Sequence, residues 1–171
     1  MQNYFELFDL ETSFFVDDEA LKKAYQTQVT RFHPDNFATK SQAEQLQALQ
    51  STSLLNSAYT ALKTPLNRAS YLLNLEDINP FDEKDTNMDA NFLLSQIELR
   101  EQLEGIKKQQ DSLALDDFIE QVRDFINDNV TSISKAFTNS RDLQEIKTLV
   151  RELKFYEQLN KEANILMDEW L

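Results

Sequence analysis

Apolar residues recur at helical spacing along most of this chain. Between Leu21 and Phe32, the side chains of Leu21, Tyr25, Val29 and Phe32 fall on one helix face, which turns Lys22, Lys23 and Arg31 towards water. Asp17 is placed to cap the first amides and Val16 to staple onto Leu21. A second periodic run opens at a capping box, Ser41 with Glu44, and carries Ala43, Leu46, Leu49, Leu54, Leu55, Ala58, Tyr59 and Leu62 before Pro65 interrupts it. Two helices joined by a tight turn can pack antiparallel and bury their facing stripes. A short apolar-rich segment, Tyr4 to Leu10, precedes them. From Glu76 to Asp89 the pattern lapses, and Ile78, Phe81 and Met88 are the only large apolar residues. Three more helical stretches follow, Ala90 to Gln109, Leu115 to Phe137 and Arg141 to Leu171, divided by Asp111-Ser112 and Thr138-Asn139-Ser140. The expected architecture is all-α: an N-terminal helical hairpin over 1–75, a linker over 76–89, and an antiparallel three-helix bundle over 90–171.

Composition narrows what such a chain can do. One glycine and three prolines leave little material for hairpins or phosphate-cradling loops. The absence of cysteine excludes disulfides, thiol nucleophiles and thiolate-held iron–sulfur clusters, and a single histidine makes a transition-metal site implausible, so no metal or cofactor is expected. Residues 1–75 carry eight acidic and six basic groups, whereas 76–171 carry twenty-two and eleven. Neither half has the cationic excess that nucleic-acid binding needs. No apolar run is long enough to span a membrane and no charged-then-apolar leader follows Met1, so a cytoplasmic location is expected.

Two places could carry function. The lone histidine stands in His33-Pro34-Asp35, where Pro34 stops the preceding helix and disfavours helical geometry at His33. An imidazole and a carboxylate are thereby presented on a stiff turn beside a basic helix end. Read by itself, the tripeptide fits a docking turn or an ordinary solvated turn. A catalytic pair is a poor reading, because no motif sets a nucleophile beside it. In the stretch from Ala90, helical phase puts Phe92, Leu99, Leu103 and Ile106 on one narrow stripe, enough to bury the helix. Leu93, Leu94 and Ile97 fall on the other side, bordered by Glu98, Glu101 and Glu104, as a partner site with an acidic rim would be. In the last helix Leu143, Ile146, Val150 and Leu153 form the buried stripe, with Phe155 projecting nearly opposite. Burial of either apolar set by neighbouring segments is the competing reading.

A basic amphipathic helix, His-Pro-Asp and a second long helix resemble a J-domain, and Leu55-Asn56-Ser57-Ala58-Tyr59 with Leu62 resembles the third-helix pattern of that family. Pro65-Leu66-Asn67-Arg68-Ala69-Ser70-Tyr71-Leu72-Leu73 is similar to the segment that closes the J-domain in one branch, the HscB family of iron–sulfur co-chaperones. The run from Phe92 to Glu104 resembles the first helix of that family's C-terminal domain. The resemblance implies a co-chaperone and not an enzyme, with two partners. One is an ATP-dependent chaperone of the 70-kDa heat-shock class, HscA type, engaged by His33, Pro34 and Asp35 with Lys22, Lys23 and Arg31 steering. The other is an iron–sulfur scaffold protein of IscU type, bound at Leu93, Leu94, Ile97, Glu98, Glu101 and Phe155. Gln26 and Thr27 are neutral where many J-domains are basic, Asn36 stands where Lys is common, and Gly105 where an acidic residue is usual. A J-protein serving another client, or a helical adaptor with no chaperone link, are the alternatives.

Overall fold

The computed structural model describes residues 3–171, and among them every regular element is a helix: seven α-helices and one 3₁₀ turn. The helices are α1 (Tyr4–Leu7), α2 (Asp18–Phe32), α3 (Gln42–Lys63), α4 (Pro65–Leu75), α5 (Ala90–Gln109), α6 (Ser112–Thr138) and α7 (Leu143–Trp170), with the 3₁₀ turn at Pro34–Phe37. Contacts divide the chain into two units, one ending at Leu75 and the other running from Glu76 to Leu171.

In the first unit the caps form where short polar side chains precede apolar runs. The Asp17 carboxylate accepts the amides of Glu19 and Ala20 at 2.9 and 3.1 Å, and Ser41 with Glu44 closes a reciprocal capping box. α2 lies along α3, with Leu21 buried against Leu55, Ala58 and Leu62 and with the rings of Tyr25 and Tyr59 stacked 4.2 Å apart. The Tyr25 hydroxyl donates to Asn56 Oδ1 at 2.5 Å, so the stacked pair is fixed in register as well as buried. Leu46, Leu49 and Leu54 do not join this core. They are about half exposed. The buried positions of α3 are Ala48, Leu55 and Leu62, seven residues apart, with Ala58 beside them, and at about 100° per residue Leu46 and Leu49 fall well outside this row while Leu54 lies just past its Ala58 edge.

Pro65 stops α3 and serves as the first residue of α4, where its missing N–H costs nothing. α4 contains a buried cation that the apolar pattern does not signal. Arg68 is 6% exposed, donates from Nε to the Phe14 carbonyl at 2.6 Å and from Nη1 to the Leu62 carbonyl at 2.8 Å, and lies 5.1 Å from the Phe14 ring centroid. Desolvation lowers its pKa, opposed by Asp18. Three residues on, the Tyr71 hydroxyl accepts the Tyr4 amide at 2.9 Å and its ring stacks on Tyr4. α4 therefore clamps both α1 and the segment that leads into α2.

In the second unit α6 and α7 pack along most of their length, and α5 rests more lightly on both. Leu99, Leu103 and Ile106 of α5 meet Leu115, Phe118, Ile119 and Val122 of α6 and Leu159, Ala163 and Leu166 of α7. Helix starts are set by caps: Asp111 accepts the Ala114 amide, so α6 begins at Ser112 and not at Leu115. Asp142 accepts the amides of Gln144 and Glu145, so α7 begins at Leu143, with Arg141 at φ 47° outside it. Leu143 is half-buried, while Ile146, Val150 and Leu153 are fully buried. The stretch 76–89, expected as a linker, is fastened to the bundle. The Asp85 carboxylate pairs with Lys147 and lies 3.4 Å from Arg151, whose guanidinium donates to the Asp85 carbonyl at 3.0 Å.

Two predictions follow from buried charge. Arg68→Ala removes the hydrogen bonds that Arg68 donates to the Phe14 and Leu62 carbonyls, and a bond from a charged donor is worth about 1.5–3 kcal/mol. Denaturant unfolding followed by circular dichroism should show the first unit's transition moving to lower denaturant, while the fluorescence of Trp170, the only tryptophan, reports an unchanged second unit. In that second unit, burial holds the carboxyls of Glu152 and Glu157 above the usual carboxylate range, with Asp89 adding to the effect at Glu152. A group whose folded pKa is raised binds protons more readily when folded, so stability rises as pH falls from neutral towards the ordinary carboxylate range. Asp85, held low by Lys147 first and then by the Asn87 amide, acts in the opposite sense, and its contribution is lost only below that range. The melting temperature read from Trp170 should therefore rise on mild acidification and fall at lower pH. Glu152→Gln should raise it at neutral pH and shrink the rise.

Candidate functional site

In the first unit the candidate site is the turn after α2. His33 ends the helix in extended geometry, at φ −59° and ψ 133°, as a residue before proline must, and Pro34 opens the 3₁₀ turn. The connection between α2 and α3 is thus partly ordered by this turn. The Asp35 amide donates to His33 Nδ1 at 3.2 Å, and the imidazole is about half exposed. The Asp35 carboxylate lies 3.6 Å from the same nitrogen. The carboxylate is 91% exposed and free to meet an incoming group.

Three side chains fix the turn to the helices, and none was marked by the sequence pattern as doing so. Asn36 donates through its side chain to the Thr30 carbonyl at 2.7 Å, closing the end of α2. Thr52 on α3 shares its hydroxyl proton between the Phe32 carbonyl at 3.1 Å and the Ala48 carbonyl of its own helix at 2.9 Å, and the Gln45 amide reaches the carbonyls of Ala38 and Lys40. At position 36 a lysine would add charge, but this asparagine adds a helix cap. Lys22, Lys23 and Arg31 are exposed on α2, with the Arg31 guanidinium 5.3 Å from the Phe32 ring centroid. Their pairing with anything in this unit is weak, which leaves them available for long-range attraction. Only Asn36 carries a signal in the sequence, as a short polar side chain just past a helix end that can hydrogen-bond a free carbonyl, whereas Thr52 and Gln45 lie within α3.

The second unit holds the other candidate site. Phe92, Leu99, Leu103 and Ile106 are buried, whereas Leu93, Leu94 and Ile97 are 42%, 58% and 55% exposed, with Glu98, Glu101 and Glu104 exposed beside them. Asp89 caps α5 by accepting the Asn91 amide at 3.0 Å, which sets the phase of the helix. Phe155 departs from the expectation of an exposed ring. It is half-buried, edge-on to Phe92 at 5.8 Å between centroids, with the Arg100 guanidinium 5.6 Å from its own centroid. Arg100 is held by an ion pair with Glu162. The reason is that α5 and α7 are neighbours, so a residue opposite the α6-facing stripe of α7 still meets α5. Gly105 sits in open space on α5, with nothing near the position of a Cβ. Among the described residues no cluster of His, Cys, Asp and Glu could hold a metal ion, and no helix is long and apolar enough to cross a membrane.

Comparison with known proteins now bears on both sites. The family model of the DnaJ domain matches residues 3–71, and the model described as the HSCB C-terminal oligomerisation domain matches residues 88–164. A co-chaperone protein HscB homolog of Photobacterium profundum is 38% identical over 165 residues, covering 96% of each chain. The chain belongs to the HscB family. It is a J-domain co-chaperone, in a family tied to iron–sulfur cluster assembly. Among solved structures, chaperone HscB from Vibrio cholerae is 36% identical and matches with a TM-score of 0.88, covering 99% of this chain and 100% of its own. Human co-chaperone HscB is 28% identical, with a TM-score of 0.89 over 96% of this chain and 82% of that one. The DnaJ-domain match covers the His33 turn. The HscB assignment covers the exposed stripe of α5.

If the stripe is surface and not core, its truncation is cheap. Leu93→Ala with Leu94→Ala should shift stability by less than about 1 kcal/mol, against about 2–5 kcal/mol for Leu99→Ala. Melting followed at Trp170 checks both.

Proposed function

We propose that this HscB-family chain carries an IscU-type iron–sulfur scaffold protein to an HscA-type chaperone in the cytoplasm and stimulates that chaperone's ATPase. What supports the reading is the pairing, in one chain, of a clamped and fully presented His-Pro-Asp turn with an exposed apolar stripe that the bundle does not need for its own folding. Either feature alone would fit a narrower role.

On this reading Asp35 supplies an exposed carboxylate and His33 an imidazole, both on a backbone turn that is formed before the partner arrives, so engagement costs little backbone ordering. Pro34 keeps the turn from joining α2. Lys22, Lys23 and Arg31 attract an acidic surface on the chaperone, which raises the association rate more than the affinity. Contact there biases the chaperone towards its hydrolysing state, and the chain performs no chemistry itself. In the other unit Leu93, Leu94 and Ile97 take the scaffold's apolar surface, ringed by Glu98 and Glu101, with Phe155 at the α7 edge. Each large side chain buried there contributes roughly 1.5–3 kcal/mol before the costs of association.

Asp35→Asn is the direct test. The carboxylate packs against nothing, so melting should be unchanged, while stimulation of the chaperone's ATPase should be lost, since one partner of a charge contact removed typically costs about 2–5 kcal/mol of binding. Scaffold binding should remain. Full stimulation by a folded Asp35→Asn chain would overturn the proposal.

A further inference from the structure

The segment from Pro80 to Met88 is a fastened strap along α7. Its anchor is Asp85, which pairs with Lys147 and Arg151, both of whose side chains are only 17% exposed, and which accepts the Asn87 amide at 3.1 Å. Arg151 also donates to the Asn87 carbonyl at 3.5 Å. Beyond the anchor, the Lys154 ammonium lies 4.1 Å from the Phe81 ring centroid. Between the strap and the two helices opens a groove of about 580 Å³ lined by Phe81, Met88, Gln96, Lys154, Phe155 and Gln158, among others.

This groove is continuous with the exposed stripe of α5. Counted from Phe92 at about 100° per residue, Gln96, Arg100, Leu93 and Ile97 follow at about 40°, 80°, 100° and 140°. Gln96 lines the groove and Arg100 covers the groove-lining Phe155, so the surface passes from strap to stripe along one flank of α5. Carboxylates border it on both sides, Asp82 and Glu83 on the strap and Glu101 and Glu104 on the helix, all exposed.

We infer that the 80–88 strap is the second wall of the scaffold-binding surface, and that the groove takes an apolar side chain of the scaffold protein set between lysine or arginine residues. The inference rests on the scaffold-binding reading above. A walled groove desolvates such a side chain more completely than a flat helix face, which is where binding energy concentrates. The bordering carboxylates select for flanking cations. Because Asp85 holds the strap in place before the partner arrives, its ordering is part of folding and does not weaken association. Lys147 is a positioning residue, whereas Asp85 and Arg151 position the strap and also line the groove.

The test uses the full chain and a purified IscU-type scaffold protein, with affinity measured by titration calorimetry at low and high salt and amide exchange followed across 80–88. Phe81→Ala and Asp85→Ala should each weaken binding by about tenfold or more, the value of a residue at the centre of an interface. Melting at Trp170 separates loss of affinity from loss of fold, and Phe81→Ala carries the test alone if Asp85→Ala unfolds. Scaffold should slow exchange across 80–88, and added salt should weaken binding. If both strap variants bind as the parent does, exchange there is unchanged, and Leu93→Ala with Leu94→Ala still loses binding, the strap is no part of the surface and the inference fails by itself. If that double variant also binds normally, the scaffold reading fails and the inference with it.

Discussion

A helix can bury its apolar stripe only by lying along another element, and nearly everything in this chain is helix. With one glycine and three prolines the backbone has few places to turn, so each break is set by a proline or a capping side chain and each helix is oriented by one narrow row of apolar residues. On α3 that row is Ala48, Leu55, Ala58 and Leu62, and on α5 it is Phe92, Leu99, Leu103 and Ile106. On α5 the apolar residues outside this row have little to cover them. Leu93, Leu94 and Ile97 are exposed for that reason, and their exposure is what makes α5 a candidate surface and more than a bundle member.

The same constraint places the His-Pro-Asp turn. Docking of α2 on α3, fixed by the Tyr25–Tyr59 stack and the bond to Asn56, brings the end of α2 to Thr52, which closes the Phe32 carbonyl, while Asn36 closes that of Thr30. The turn is thereby rigid in backbone and bare in side chain. A presented carboxylate on a fixed frame suits recognition by a partner that must tell one turn from the many solvated turns it meets. Arg68 stabilises that frame from below, tying the segment before α2 to the end of α3.

Much of this was legible in the sequence, and the rest was not for identifiable reasons. Helical spacing gave α2, α3 and the three bundle helices, and the buried row of α5 was read residue for residue, because a stripe repeated over several turns leaves little freedom of phase. Ends were less exact: Asp111 and Asp142 cap helices that begin three residues earlier and two residues later than their apolar patterns suggest. Leu46, Leu49 and Leu54 belong to the apolar pattern of α3 but not to its core, because apolarity alone does not say which of several phases a neighbour covers. Phe155 was read as exposed because phase within α7 ignores α5. Arg68 and the Asp85 anchor were invisible, since a charged residue gives no sign in sequence that its partners are distant carbonyls or distant cations. The resemblance to a family marked the run around Arg68 as distinctive, and the structure supplies the physical reason.

The central claim is that one chain carries two separable surfaces, a clamped turn for a chaperone and an exposed stripe for a scaffold protein. Its most direct measurement is the ATPase rate of an HscA-type chaperone titrated with the full chain, with and without an IscU-type scaffold protein, for the parent and for the chain with Leu93 and Leu94 changed to Ala. The account predicts that the double variant stimulates as the parent does when no scaffold is present, and loses whatever further effect the scaffold confers through the parent chain. Loss of stimulation by the double variant in the absence of scaffold, with its fold intact, would contradict it.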